Sequence, residues 1–196
     1  MDIRLKNFVK LSDKEIEQLS KITAKQEIMQ YIASGKPYTK KHLFDFRKDE
    51  KTQEKLPVLK RAYWTYAIMH KTDVIGMFVL YKFNLAKLKI TPIGITKKNL
   101  KHTKYSKKNH NVLNILNRIL IDTEYQGKGI GLQIYELVKK MARESIFKNV
   151  NIPVYLVSFV LDNNIPSIKL QIKADFEKYA THKDGDEFYY IYRWRV

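Results

Sequence analysis

The chain has 196 residues, 44% of them hydrophobic, and sets 37 Lys and Arg against 20 Asp and Glu for a formal net charge of +17. That length suits one domain with a core of its own, and the lack of cysteine excludes disulfides and thiolate metal sites. No stretch approaches the roughly 18 apolar residues of a membrane span or forms a signal-peptide core, so a soluble, cytoplasmic protein with no membrane partner is expected. In "LSDKEIEQLSKIT", Ser12 and Glu15 have the spacing at which each side chain caps the other's backbone N–H, which predicts a helix beginning near Ser12. "AKQEIMQYIASGKP" reads as a second helix ending at Gly35, with Pro37 as a breaker just beyond. A third is expected from Thr39 to about Glu54, with Leu43, Phe44 and Phe46 toward one side.

After Pro57 the residues turn β-branched and aromatic. "RAYWTYAIMH" and "DVIGMFVLYKF" read as an antiparallel hairpin turning at "KTD". From Val74 through Ile121 there is no Asp or Glu, and residues 84–111 form a lysine-rich insertion, either a solvated loop or an anion-binding surface. "NVLNILNRILID" is the next strand, "LQIYELVKKMARESIF" an amphipathic helix and "VYLVSFVL" a strand apolar enough to be covered on both faces. "IPSIKLQIKAD" is a short helix, and the last 20 or so residues make two strands turning near Asp184 and Gly185. His42, His70, His102, His110 and His182 are scattered, so no metal site is expected.

Gly127, Gly129 and Gly131 stand where a strand becomes a helix. There the first helical N–H groups have no carbonyl partner, and bare backbone lets an anion reach them. Each aimed, charge-assisted N–H is worth roughly 1.5–3 kcal/mol, against roughly 0.3–1 for the helix dipole, so local geometry outweighs the overall charge. A P-loop needs Ser or Thr after Lys128, a dinucleotide fold needs glycine where Ile134 stands, and a methyltransferase sheet needs more chain than follows Gly131.

Gln126, Gly129 and Gly131 satisfy Q/R-x-x-G-x-G/A behind the apolar "ILID". This resembles the acetyl-coenzyme A loop of the GCN5-related N-acetyltransferases. "VYLVSFVLDNNIPSIKLQIKADF" is similar to that family's second motif, and the hairpin with Gly76 to its paired strands, so the likeness covers roughly residues 57 to 196. It implies an α/β fold, a single domain over 1–196 with a mixed, mostly antiparallel central sheet flanked by helices, and residues 1–56 as a helical substrate-side region. It also implies that acetyl-coenzyme A is the cosubstrate and that no metal is used. The backbone of Ile119, Leu120 and Ile121 would meet the pantetheine arm, and the amides of Gln126, Gly127, Lys128, Gly129, Ile130 and Gly131 the pyrophosphate. Asn164 matches a cofactor-contacting asparagine, and it is also placed to cap the helix that contains Pro166.

The pattern departs at Gln171, which stands where many members carry a tyrosine acid, and at Asp175, which replaces a glycine. The catalytic residues are therefore unassigned, with Asn164 and Gln171 as weak candidates. Asp122 and Glu124, beside the loop, are expected at the surface. The resemblance implies acetyl transfer to a primary amine of a small molecule or peptide by a monomer or homodimer. An alternative is a catalytically weak or inactive module with the same fold, binding a polyanion such as nucleic acid through residues 82–110.

Overall fold

The computed structural model describes residues 2–29, 38–83, 90–92 and 112–196. It divides into two compact units, one of Met1–Tyr81 with Arg118–Met141, the other of Lys82–Asn117 with Ala142–Val196. The strand at Leu113–Ile121 contributes to both. The expected end of the second helix at Gly35 and nearly all of the basic insertion lie outside the described residues.

In the first unit, β1 (Ile3–Asn7) pairs antiparallel with β2 (Tyr63–His70), and β2 with β3 (Asp73–Phe83). The second half of β5 (Leu113–Ile121) follows β3 in the strand order. β1 was absent from the sequence reading because "IRLKN" is short and polar, and it earns a strand only by pairing with β2. Three helices precede β2: α1 (Asp13–Thr23), α2 (Gln26–Met29) and α3 (Lys40–Gln53). α1 has the reciprocal Ser12–Glu15 box, and Thr39 caps α3 by accepting from the His42 N–H. The apolar stripe of α1, Ile16, Leu19 and Ile22, joins Phe8, Leu11, Leu43, Ala67, Met69 and Met77 in one buried cluster. Each such aliphatic side chain contributes about 1.5–3 kcal/mol by leaving water. Arg47 ties α3 to the start of α1, donating to the Leu11 carbonyl at 2.6 Å and to Asp13 at 2.8 Å. α4 (Ile130–Met141) buries Ile130, Ile134 and Val138 and lies against β1.

In the second unit the first half of β5 is followed by β6 (Val154–Leu161), β8 (Glu187–Arg195), β7 (Glu177–Asp184) and a short β4 (Ile90–Pro92). β5 and β6 are parallel, while β6–β8, β8–β7 and β7–β4 are antiparallel. The fold is thus a mixed, mostly antiparallel sheet flanked by helices, as expected. Among the described residues of the basic insertion, β4 is held by its pairing with β7. α5 (Ile165–Lys173) ends in the turn that the Asp175 substitution put in question. The turn forms with Asp175 at φ +54°, a left-handed conformation that Asp tolerates better than most residues, and the Phe176 N–H bonds back to the Gln171 carbonyl at 3.0 Å. No helix among the described residues is long and apolar enough to cross a membrane.

One buried carboxyl stands apart in the first unit. Glu50, on α3, is 2% exposed; its Oε1 accepts from the Thr65 N–H at 3.2 Å and its Oε2 has no partner among the described residues. Burial pushes its pKa from 4.5 up to about 7, more than the Thr65 hydrogen bonds and Arg61 pull it down. The raised pKa means that the native state keeps a proton which the unfolded chain has lost. Stability from Glu50 is therefore full below about pH 4.5 and is lost as pH rises through about 7. Glu50→Gln is expected to flatten the fall in melting temperature between pH 5 and pH 8, measured side by side with the unsubstituted chain; an unchanged slope would remove Glu50 as its cause.

Candidate functional site

β5 leaves the ladder part-way along its length. Its parallel register with β6 runs from Leu113↔Val154 to Leu116↔Val157 and ends there. At the next residue a side chain takes over: Asn117 donates from Nδ2 to the Val157 carbonyl at 2.9 Å and accepts at Oδ1 from the Ser158 hydroxyl at 3.0 Å. The Asn117 side chain is buried and sits beside the last paired residues.

Further along β5, within the first unit, the Asp122 N–H donates to the Ile75 carbonyl of β3 at 2.8 Å. A strand's peptide groups alternate between its two edges, so Leu120 also turns its N–H and C=O to β3, while Ile119 and Ile121 turn theirs to the opposite edge. The position of the Leu120 carbonyl agrees, since a Cβ added to Gly76 would lie 2.1 Å from that oxygen. Leu120, expected with Ile119 and Ile121 to offer strand backbone to the pantetheine arm, instead turns its peptide groups to β3 and packs its side chain on the first unit's core. The Ile119 peptide groups and the Ile121 N–H face the opposite edge, beyond the end of the parallel register, while the Ile121 carbonyl there accepts from Gln126.

The chain then bends through a 3-10 turn at Thr123–Tyr125, for which the Asp122 side chain accepts from the Glu124 N–H. Asp122, expected at the surface, is 8% exposed because it is enclosed by its own turn and by Lys25, whose Nζ reaches it at 2.5 Å and Glu124 at 3.2 Å. The hydrogen bond to Asp122 holds the Lys25 ammonium above its ordinary pKa, against the opposing cost of burial. Glu124 is exposed, as expected. Gln126 folds back and donates from Nε2 to the Ile121 carbonyl at 2.9 Å, closing the bend.

Gly127 and Gly129 have φ of +73° and +74°, and nothing lies within 4 Å of where their Cβ atoms would be. Their backbone therefore borders open space, in a conformation that L side chains resist. α4 opens immediately afterwards, with its first-turn bond from the Gln133 N–H to the Gly129 carbonyl at 3.4 Å. The amides of Gly129 through Leu132 have no helical acceptor, and the first turn holds no acidic residue. Lys128 sits with its Nζ 5.4 Å from the Tyr125 ring centroid, and the His70 ring meets the other side chain of that pair, Tyr125, edge-on at 5.6 Å. Ile119, Ile121 and residues Gln126 to Gly131 are thus brought together in the first unit.

Asn164 and Gln171 belong to the second unit. Asn164 caps α5, its Oδ1 accepting from the Ser167 N–H at 3.2 Å. Gln171 faces the interior of its unit at 4% exposure. Trp64 is buried and Tyr66 half-buried, while His102 and His110 fall outside the described residues. No group of three or more His, Cys, Asp and Glu forms a metal-ligand set among the described residues.

The fold has counterparts among solved structures. A ribosomal L7/L12 alpha-N-protein acetyltransferase in complex with coenzyme A superposes with a TM-score of 0.63 at 13% identity, over 100% of this chain and 95% of that one. The chain has the fold of the GCN5-related N-acetyltransferases. An acetyltransferase of this fold from Bacillus anthracis matches at a TM-score of 0.61 and 13% identity, over 100% and 95% of the two chains. The Campylobacter jejuni N-acetyltransferase PseH in complex with acetyl coenzyme A gives 0.55 at 18% identity, covering 97% of each. No protein-family model matches the chain, and no curated protein sequence does.

In this N-acetyltransferase fold Asp122 is enclosed where the sequence predicts a surface residue, and Lys25 and Arg118 carry no signal of their own in the sequence. Asp122 carried a legible signal, an Asx cap directly after an apolar strand. Its ion pair with Lys25 spans nearly a hundred positions and had none. Gly76 sets how closely β3 approaches β5, so Gly76→Ala is expected to cost roughly 1–3 kcal/mol in urea unfolding as the strands are forced apart. A variant as stable as the parent would show that the approach tolerates a methyl group.

Proposed function

We propose that the chain transfers the acetyl group of acetyl-coenzyme A to a primary amine. The observation that carries the reading is the pair of left-handed glycines, Gly127 and Gly129, which open onto empty space just ahead of a helix start with unpartnered amides. Side chains there would fill the volume an anion needs, so the residues present fit a diphosphate. Near-complete coverage of the neighbours, and of this chain by them, supports residues 1–196 acting as one catalytic domain.

Acetyl-coenzyme A supplies an activated acyl group: the amine nitrogen forms a bond to the thioester carbon, the carbon–sulfur bond breaks, the thiolate leaves with its electron pair, and the amine proton passes to water. On this reading the amides of Gln126 through Gly131 bind the diphosphate. The edge groups of Ile119 and Ile121 align the pantetheine amides as an added strand would. Lys128 adds a cation near the loop, and Asn164, already serving as a cap, has its amide Nδ2 for a further contact. Gln171 is an amide and has no proton to give at useful cost, so catalysis rests on alignment and on N–H groups polarising the thioester carbonyl.

An α-amine, of pKa about 7.7–8.0, suits such a site, because it loses its proton near neutrality without help, whereas a lysine amine near 10.4 would need about 4 kcal/mol. With an α-amine acceptor found by mass-shift screening, kcat/KM is expected to level off above about pH 8; a continued rise to pH 10 would point to a more basic acceptor.

The cofactor assignment is tested at Gly129. Asparagine adopts the left-handed region more readily than other residues with a Cβ, so Gly129→Asn is expected to fold, losing at most about 1 kcal/mol, while its side chain enters the anion space. Coenzyme A should raise the melting temperature of the parent and leave that of Gly129→Asn unmoved. Equal stabilisation of both would show that coenzyme A binds elsewhere.

A further inference from the structure

If the acetyl group is delivered at the Ile119–Ile121 edge, as that reading has it, a cation stands one residue away with no role yet. Arg118 precedes Ile119 on β5 and is exposed. Its guanidinium carbon lies 5.5 Å from the centroid of the half-buried Tyr81 ring of β3. Among the described residues no carboxylate comes within ion-pair distance of it. The sequence around it has no acid to compete, since the run from Val74 through Ile121 holds neither Asp nor Glu.

The side of the sheet is fixed by alternation. Arg118 and Leu120 leave β5 on the same face, as do Met77, Val79 and Tyr81 on β3. Met77 belongs to the core beneath α1 and α3, and Leu120 and Val79 pack against it. Leu120 is covered there, whereas Arg118, two residues earlier, is open to solvent. Tyr38 packs on the same core and meets Phe46 edge-on at 6.0 Å. Burial raises the Tyr81 phenol above its ordinary pKa, and the Arg118 guanidinium opposes that rise. The result is an exposed guanidinium resting on one phenol, on the face of the sheet that α1 and α3 cover further along.

A guanidinium held over a ring has lost part of its rotamer freedom already, and its planar fork pairs bidentately with a carboxylate or phosphate. Arg118 directly precedes Ile119 on β5, so an anion held by its guanidinium and an amine at the Ile119 edge are within the span of one small molecule. We infer that Arg118, seated on Tyr81, binds a carboxylate or phosphate carried by the amine acceptor itself. The acceptor is then a small anionic amine, of amino-acid or amine-phosphate type, and polycationic amines are disfavoured.

Two matched pairs separate the sources of the anion: glucosamine 6-phosphate against glucosamine, and a dipeptide with a free C-terminal carboxylate against its amide. Initial rates with acetyl-coenzyme A and calorimetric titrations into coenzyme A-saturated protein are read for all four. The parent is expected to favour the anionic member of at least one pair by roughly ten- to hundred-fold in kcat/KM or Kd. Arg118→Ala should bring that ratio close to one, mainly through KM, and Arg118→Glu should invert it. Both variants should still be stabilised by coenzyme A, which shows that they are folded. A parent with no preference in either pair, including one that neither binds nor acetylates any of the four, overturns the assignment, as does a preference that survives Arg118→Ala. Absence of stabilisation of the parent by coenzyme A would instead sink the acetyltransferase reading, and this inference with it.

Discussion

The approach of β3 to β5 at Gly76 governs the first unit. With a Cβ that would fall 2.1 Å from the Leu120 oxygen, only glycine allows the two backbones to lie as they do. The bulge in the β2–β3 register at Ile68/Met69 sits directly opposite, so the strand bends where it must pass closest. The Asp122 amide is then pinned to Ile75, which sets both where β5 ends and which way its last peptide groups face. The peptide groups of Ile119 and Ile121 face away from β3 for this reason, and the turn that follows starts from a defined direction.

The glycine bend works only because its approach is held. Asp122 accepts from its own turn and from Lys25, and Gln126 reaches back to the Ile121 carbonyl, so the loop is tied at both ends before Gly127 is reached. The Lys25–Asp122 pair is partly sheltered, so salt screens it less than an exposed ion pair. The large positive charge of the chain acts at longer range and is screened by salt. At the bend itself, local geometry outweighs that charge, because the unpartnered N–H groups at the start of α4 are fixed in direction by the held approach.

Burial of polar groups is concentrated in the parts that need a fixed geometry. Asn117 and Ser158 replace ladder hydrogen bonds where β5 leaves its parallel partner, at a position where an unsatisfied backbone carbonyl would be costly. Glu50 is the opposite case, a carboxyl with one oxygen satisfied and the other not, which shifts its titration into the neutral range. It couples the stability of the helical region to pH without touching the glycine bend.

Local signals in the chain determined a good deal. The Ser12–Glu15 box, the Thr39 cap, the hairpin at Lys71–Thr72, the stripe of α4 and the glycine bend are each set by residues within a few positions of one another, and all are legible without a structure. β1 and β4 were not, because short polar segments become strands only when a distant partner offers its edge, as β2 and β7 do here. Nor could spacing reveal that Leu120 faces β3, that Asp122 is enclosed by Lys25, or that Arg118 lies on Tyr81. Those depend on which way each peptide or side chain points once strands from remote parts of the chain are in register. Periodicity encodes an element's own faces; what each face meets is decided only by tertiary contact.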